Sequence, residues 1–269
     1  MVVGLLMVVG GAAAGMFGSL LGLGGGVLIV PLLTLGFGLP LRDAVGVSLV
    51  CVIMTSSAAA GVYLERHVAN LRLGMTLELF TAIGALVGSS IAFLLDERLL
   101  SGLFAALLLY VAGTMLRSGL RGGLRGAAQP VEGATAIPVV AANDGTPPIH
   151  GLRVGVVGSF GAGIISALLG IGGGIIKVPL MHLAMGVPLR AATATSNLMI
   201  GITAAASAVI YALNGGIDPY VAGPTAIGVF LGATAGSRIG HRIGLHYLRA
   251  LFVVVLGYTA VQMLVRALG

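Results

Sequence analysis

Hydrophobic positions run along this chain in long blocks, and glycines or charges break them at intervals. In the first half the apolar blocks occupy 2–21, 26–39, 44–64, 73–95 and 99–116. In the second half they occupy 152–169, 174–187, 191–213, 219–239 and 247–267. Most approach the ~20 residues that carry a helix across a bilayer core of about 30 Å. The pattern therefore predicts five helical segments in each half. Composition agrees. Of the 269 residues, 58% are hydrophobic and 8% charged, with a mean hydropathy of +1.11. A soluble domain carries about a quarter charged residues, so this chain cannot cover itself with a polar surface. The fold class expected is an all-α polytopic membrane protein. The first basic residue is Arg42, so the opening block lacks the basic start of a signal peptide.

Between the halves lies "RSGLRGGLRGAAQPVEGATAIPVVAANDGTPPIHG", rich in Gly, Pro and Ala. It reads as a linker. The expected organisation is a first membrane repeat over 1–117, a linker over 118–150 and a second membrane repeat over 151–269. "LLGLGGGVLIVPL" from Leu20 returns as "LLGIGGGIIKVPL" from Leu168. At this offset of 148, nearly half of the positions from Leu20 to Tyr63 are identical to their counterparts. Pro31 meets Pro179, Gly38 meets Gly186, Pro40 meets Pro188 and Thr55 meets Thr203. Apolar bias does not place glycines and prolines at fixed spacing, so the chain is an internal duplication.

The second block of each half is too short to span. Gly26 to Gly38 covers about 20 Å of helix, and Pro31 removes one of its backbone donors. The first and second blocks then meet at "GLGGG" at membrane depth. Irregular backbone survives there only when protein or a wet cavity surrounds it. Charge tests the topology. Counting blocks one and two as two crossings or as one re-entrant hairpin puts Arg66, Arg72, Arg117, Arg121, Arg125, Arg153, Arg190, Arg238, Arg242 and Arg249 on the linker's side. Only Arg42, Arg98 and Arg266 fall opposite. Treating them as one broken span divides the same arginines almost evenly. The positive-inside rule selects the first arrangement, with the linker cytoplasmic and both termini outside. An odd count of segments makes the halves inverted repeats, and interrupted helices at matching positions are a mark of secondary transporters.

The glycine breaks are the first candidate site. A half-helix starting after Gly24, Gly25 and Gly26 directs unpaired N–H groups toward the bilayer middle, as does one starting at Gly172, Gly173 and Gly174. Helix N-termini attract anions, and inversion brings the two breaks face to face. Close helix packing is the competing explanation for the same glycines. Lys177 is the second candidate. It replaces Ile29 of the first copy, and a lysine at membrane depth faces a cavity or a partner unless it snorkels. Glu78 is its acidic counterpart: it can pair with Lys177, relay a proton, or lie near the interface close to Arg72. Ser48, Ser196 and Asn197 can donate to an oxyanion. Thr55 and Thr203 read as interhelical hydrogen-bonding groups.

Several classes drop out. No His, Cys or carboxylate cluster has metal-ligand spacing, no nucleophile–base motif is present, and GxGxxG fails at Val27 and Ile175. No enzyme activity and no cofactor are expected. A GxxxxGK[ST] motif is absent, which argues against ATP-driven pumping. The net charge of +6 is topology information and not a nucleic-acid footprint. The expected partners are a small anionic solute, the lipid bilayer and, as an open option, a second copy in a homodimer.

Together "GLGGGVLIVP", "GIGGGIIKVP" and "GVPLRAATATSNLMIGITAAASA" resemble the TauE/SafE sulfite-exporter family of permeases, over nearly all of the chain except the linker. The resemblance implies a multi-pass permease of the bacterial or archaeal inner membrane. Its cargo would be a sulfur-containing anion such as sulfite or an organosulfonate, moved by alternating access. An anion channel built on the same paired breaks is the alternative.

Overall fold

A computed structural model describes residues 2–21, 25–65, 71–120, 151–239 and 245–268. The linker expected over 118–150 falls almost wholly outside these residues, as does Gly24. Among the described residues the chain is helical. The first half comprises α1 (Val2–Leu21), α2 (Gly26–Pro31), α3 (Leu41–Glu65), α4 (Leu71–Leu94) and α5 (Glu97–Leu120). The second comprises α6 (Leu152–Leu169), α7 (Gly174–Pro179), α8 (Leu189–Leu213), α9 (Pro219–Ile239) and α10 (Leu245–Leu268). Apart from α2 and α7, which end well short of their blocks, these bounds lie within a few residues of the apolar blocks. Among the described residues, six helices are long and apolar enough to cross a membrane: α1, α3, α4, α5, α6 and α8.

The short elements α2 and α7 are built alike. Each begins at a glycine in the left-handed region, Gly25 (φ 77°) and Gly173 (φ 76°). Neither start has a side-chain cap. Each carries its proline at the end and then widens into a π-helical turn, Leu32–Gly36 and Leu180–Ala184. The proline supplies no N–H, which helps explain why the regular ladder changes pitch there. Both turns end on a left-handed glycine, Gly38 and Gly186 (φ 72° each). Leu39 N–H then donates to Leu33 O, and Val187 N–H to Met181 O. The helical rod Gly26–Gly36 is thus shorter than the 26–39 block, because Gly38 and Pro40 terminate it.

Packing exchanges elements between the halves. α1 lies along α9, and α6 lies along α4. Bare glycines make both contacts. A methyl group at Gly15 would strike Val229 O, and one at Gly163, its repeat counterpart, would strike Thr81 O. Small residues at four-residue spacing let membrane helices approach this closely. The third helices cross each other, as do the fifth. α3 and α8 run antiparallel: Gly46 packs on Gly216, while Ser56 Oγ donates to Asn197 O (2.6 Å). Gly102 near the start of α5 lies by Ala267 at the end of α10. Counterpart helices that oppose one another are what an inverted duplication produces.

One end of the bundle is pinned by polar groups. Glu97 Oε1 accepts from Leu41 N–H (2.6 Å) and caps α3. Arg42 donates to Leu95 O (2.8 Å) and its guanidinium lies over the Phe93 ring. Phe93 in turn packs on Tyr211, whose hydroxyl donates to Ala167 O. This chain of contacts ties the first half to the second.

Candidate functional site

The two breaks meet, and they meet without a gap. A methyl group at Gly26 would lie 2.5 Å from Gly170 O and 3.1 Å from Ile171 Cα. Ser48 Oγ donates to Gly170 O (2.7 Å). Val52 and Ile200, one from each half, fill the space over Gly172. On this side the glycines serve close packing, with Ser48 spent on the contact.

The second break has another side. α7 opens with Ile176 N–H and Lys177 N–H both donating to Gly173 O. The N–H groups of Gly174 and Ile175 precede the first helical bond, as at any helix start. Two buried hydroxyls lie against this backbone. Ser166 Oγ would be 3.3 Å from a methyl group on Gly173, and Ser196 Oγ 3.6 Å from one on Gly174. Neither has a hydrogen-bond partner. Ser166 and Gly173 line a cavity of about 10 Å³, closed by Leu107, Ile165, Ile171, Ile175 and Ile176. That is room for about one water.

One turn into α7 stands the charged cluster. Lys177 Nζ donates to Glu78 Oε2 on α4 (3.0 Å) and to Thr203 Oγ1 on α8 (2.7 Å). The Thr203 hydroxyl donates to Glu78 Oε1 (2.6 Å). All three side chains are buried. Sequence alone left three readings open for Glu78, and the structure places it on Lys177. Ion pairs of this kind are rare at membrane depth and mark functional paths. A buried pair is weak evidence for stability, because an apolar replacement of similar volume is often as stable.

The remaining candidates are distributed differently. Asn197 is half-buried one residue beyond Ser196, and its backbone carbonyl receives Ser56. Gly25 faces methyl groups of Ile29 and Thr55 rather than a side-chain donor. A larger hollow of about 220 Å³ sits elsewhere, between Leu41, Glu97, Arg98, Ser101 and Arg266. There Glu97 is engaged with Leu41 N–H, and Arg266 donates to Thr34 O. No group of three or more His, Cys, Asp or Glu able to hold a metal occurs among the described residues.

Comparison with known proteins fixes the class of this helical scaffold. The family model for "Sulfite exporter TauE/SafE" matches residues 7–263. The chain belongs to that family. It is 26% identical over 249 residues to "Probable membrane transporter protein YunE" of Bacillus subtilis (strain 168), covering 88% of this chain and 89% of that protein. It is 26% identical over 275 residues to "Probable membrane transporter protein MJ0441" of Methanocaldococcus jannaschii, covering 96% and 94%. A shorter match joins it to "Sulfite exporter TauE/SafE family protein 6" of Arabidopsis thaliana, 34% identical over 98 residues, 36% of this chain and 23% of that one. No solved structure matches the chain. The TauE/SafE chain is therefore a multi-pass protein of a membrane transporter family, which is not a family of enzymes. Two residues near the second break were hidden from sequence reading. Thr203 looked like a plain interhelical hydroxyl, and Ser166 was not singled out at all. The repeat itself carried a signal for Ser166, Lys177 and Glu78. At the offset of 148, Ser166 stands where the first half has Gly18, Lys177 where it has Ile29, and Glu78 where the second half has Ala226.

Proposed function

We propose that this chain is a secondary carrier that moves a small sulfur-containing anion, sulfite or an organosulfonate, by alternating access across the cytoplasmic membrane. The observation that supports it best is the buried Lys177–Glu78–Thr203 cluster, one turn beyond the second glycine break. A lysine buried at membrane depth needs anionic company. Glu78 provides that company in this structure. An exchange of partners, with the transported anion or a proton displacing the Lys177–Glu78 contact, is a coupling step that a simple pore does not need. The Gly172–Gly174 backbone, Ser196 and Asn197 would line the substrate's path, with Ser48, Gly25 and Gly26 on the opposing break. The linker would face the cytoplasm and both termini the outside.

The test is transport in proteoliposomes. Preloaded sulfite or methanesulfonate should exchange against external substrate, with saturable counterflow that stops in Lys177→Met. Their flux should also respond to an imposed pH gradient. Sustained conductance through a planar bilayer, with no counterflow, would instead identify a channel. An absence of flux for every sulfur anion would remove the assignment of cargo.

A further inference from the structure

Ser166 plays no part in the transport step just described, yet its hydroxyl is buried and lacks a partner. So is the hydroxyl of Ser196. A buried hydroxyl without a hydrogen bond costs about 1–3 kcal/mol, and such groups in native folds call for a ligand or a water. The two lie against adjacent residues of one break, Gly173 and Gly174. A third, Ser159, stands two turns before Ser166 on the same face of α6 and is likewise unpartnered. The first half lacks this set. Its residues at the places of Ser159 and Ser166 are Gly11 and Gly18. The counterpart of Ser196, Ser48, is bonded to Gly170 O. Free donors thus accumulate on one break and are absent from the other among the described residues.

The chemistry around these donors is specific. Serine hydroxyls turn to donate or accept, and the N–H groups before the first bond of α7 only donate. On the Ser166 side Leu107, Ile165, Ile171, Ile175 and Ile176 supply an apolar wall. The nearest charge in this half, Lys177, is already balanced by Glu78. A ligand here meets neutral donors and no net counter-charge. Ionic solvation energy grows with the square of charge, so leaving water is far costlier for a dianion than for a monoanion. A sulfonate matches: one charge shared by three acceptor oxygens, with an apolar substituent to face the wall.

We propose that the hydroxyls of Ser166 and Ser196 form an oxyanion subsite at Gly173–Gly174, which accepts the headgroup of a singly charged sulfonate ahead of a dianion such as sulfate. The cavity of about 10 Å³ is too small for that headgroup, so binding requires α6 and α7 to part. This inference rests on reading the chain as an anion carrier, and it assigns the specificity of that carrier to residues of one half.

Methanesulfonate and sulfate, titrated separately against the full chain in detergent by calorimetry, test it. Methanesulfonate should bind more tightly than sulfate. Ser166→Ala and Ser196→Ala should each weaken methanesulfonate by ~10-fold, the worth of a hydrogen bond to a charged group. Their melting temperatures without ligand should stay unchanged or rise, because no protein contact is lost. Ser90→Ala, on an exposed face with its hydroxyl on Leu86 O, should bind as the parent does. Parental affinity in both alanine variants would show that the hydroxyls hold water only and would overturn the subsite while leaving the carrier reading intact. Tighter sulfate binding in the parent would overturn the monoanion preference. A parent that binds neither anion, yet shows sulfite counterflow in liposomes, would overturn the subsite alone. A parent without binding or flux would remove both.

Discussion

The two halves place very different residues at equivalent points of one scaffold. Around the second break, Lys177 and Thr203 of the second half and Glu78 of the first close a ring of charge-assisted hydrogen bonds. The equivalent points around the first break are Ile29 and Thr55 of the first half and Ala226 of the second, all buried. There Thr55 turns back onto Val52 O, three residues earlier on its own helix. Apolar residues therefore fill this site and leave it buried. Since an apolar set is often at least as stable as a buried ion pair, stability does not explain why the charged set is kept. Duplication separates two duties: the site around one break packs, and the site around the other holds groups that can change partners.

The largest expected effect strikes that contrast directly. Lys177→Met leaves Glu78 buried without its counter-charge and should destabilise the protein by about 3–5 kcal/mol, read as a fall in thermal midpoint in detergent. Adding Glu78→Gln should recover much of the loss. A Lys177→Met protein as stable as its parent would mean that Glu78 is not held by the ion pair. Writing the residues around the first break into their equivalents around the second, as Lys177→Ile with Glu78→Ala, should restore stability to within about 1 kcal/mol of the parent. Counterflow should be lost all the same. Transport by that double variant would break the division of duties.

A smaller effect concerns what the halves share. Gly163→Ala drives a methyl group into Thr81 O, and Gly15→Ala drives one into Val229 O. Each should cost about 1–3 kcal/mol through overpacking, and the two costs should match. Gly223→Ala, which meets open space, should instead gain up to about 1 kcal/mol of helix propensity. Unequal costs at Gly15 and Gly163 would show that the two crossings are not equivalent. The smallest effect compares the threonines. Thr203→Val removes a donor from the ion-pair ring and should cost about 1–2 kcal/mol. Thr55→Val removes the bond to Val52 O within its own helix and should cost less than Thr203→Val. Equal costs would erase the distinction.

Much of the fold was legible because membrane helices advertise themselves. The apolar blocks gave element bounds to within a few residues, and Gly38, Pro40, Gly186 and Pro188 marked where the short rods end. The antiparallel crossing of α3 and α8 follows from an odd number of segments per half. The site was legible only in part. Lys177 stood out as a charge among apolar neighbours, and Gly173 and Ser196 as members of the repeated phrase. Its partner was legible only as one of three readings, because Glu78 lies 99 residues away and Arg72 nearby also suggests a headgroup setting. Thr203 was concealed by identity, since the same threonine stands at its place in the first half. Serine is equally at home in a packed membrane interface, so nothing local distinguished Ser166. Periodicity reports which face is apolar, and a three-way contact between α4, α7 and α8 has no periodic trace.

The pairing of α1 with α9, and of α6 with α4, also sets a schedule for synthesis. A ribosome adds about 5–20 residues each second, and the chain from Leu21 to Ile239 must emerge before α1 can meet its partner. For on the order of ten to forty seconds the glycine face of α1 stands against lipid or an insertion factor, with no helix of its own half to cover it. α4 waits far less, since α6 follows as soon as the linker is made. The nascent protein should therefore be most vulnerable to membrane proteases while its oldest helix is still alone, and truncation before α9 should expose α1 to degradation even where every earlier segment has inserted.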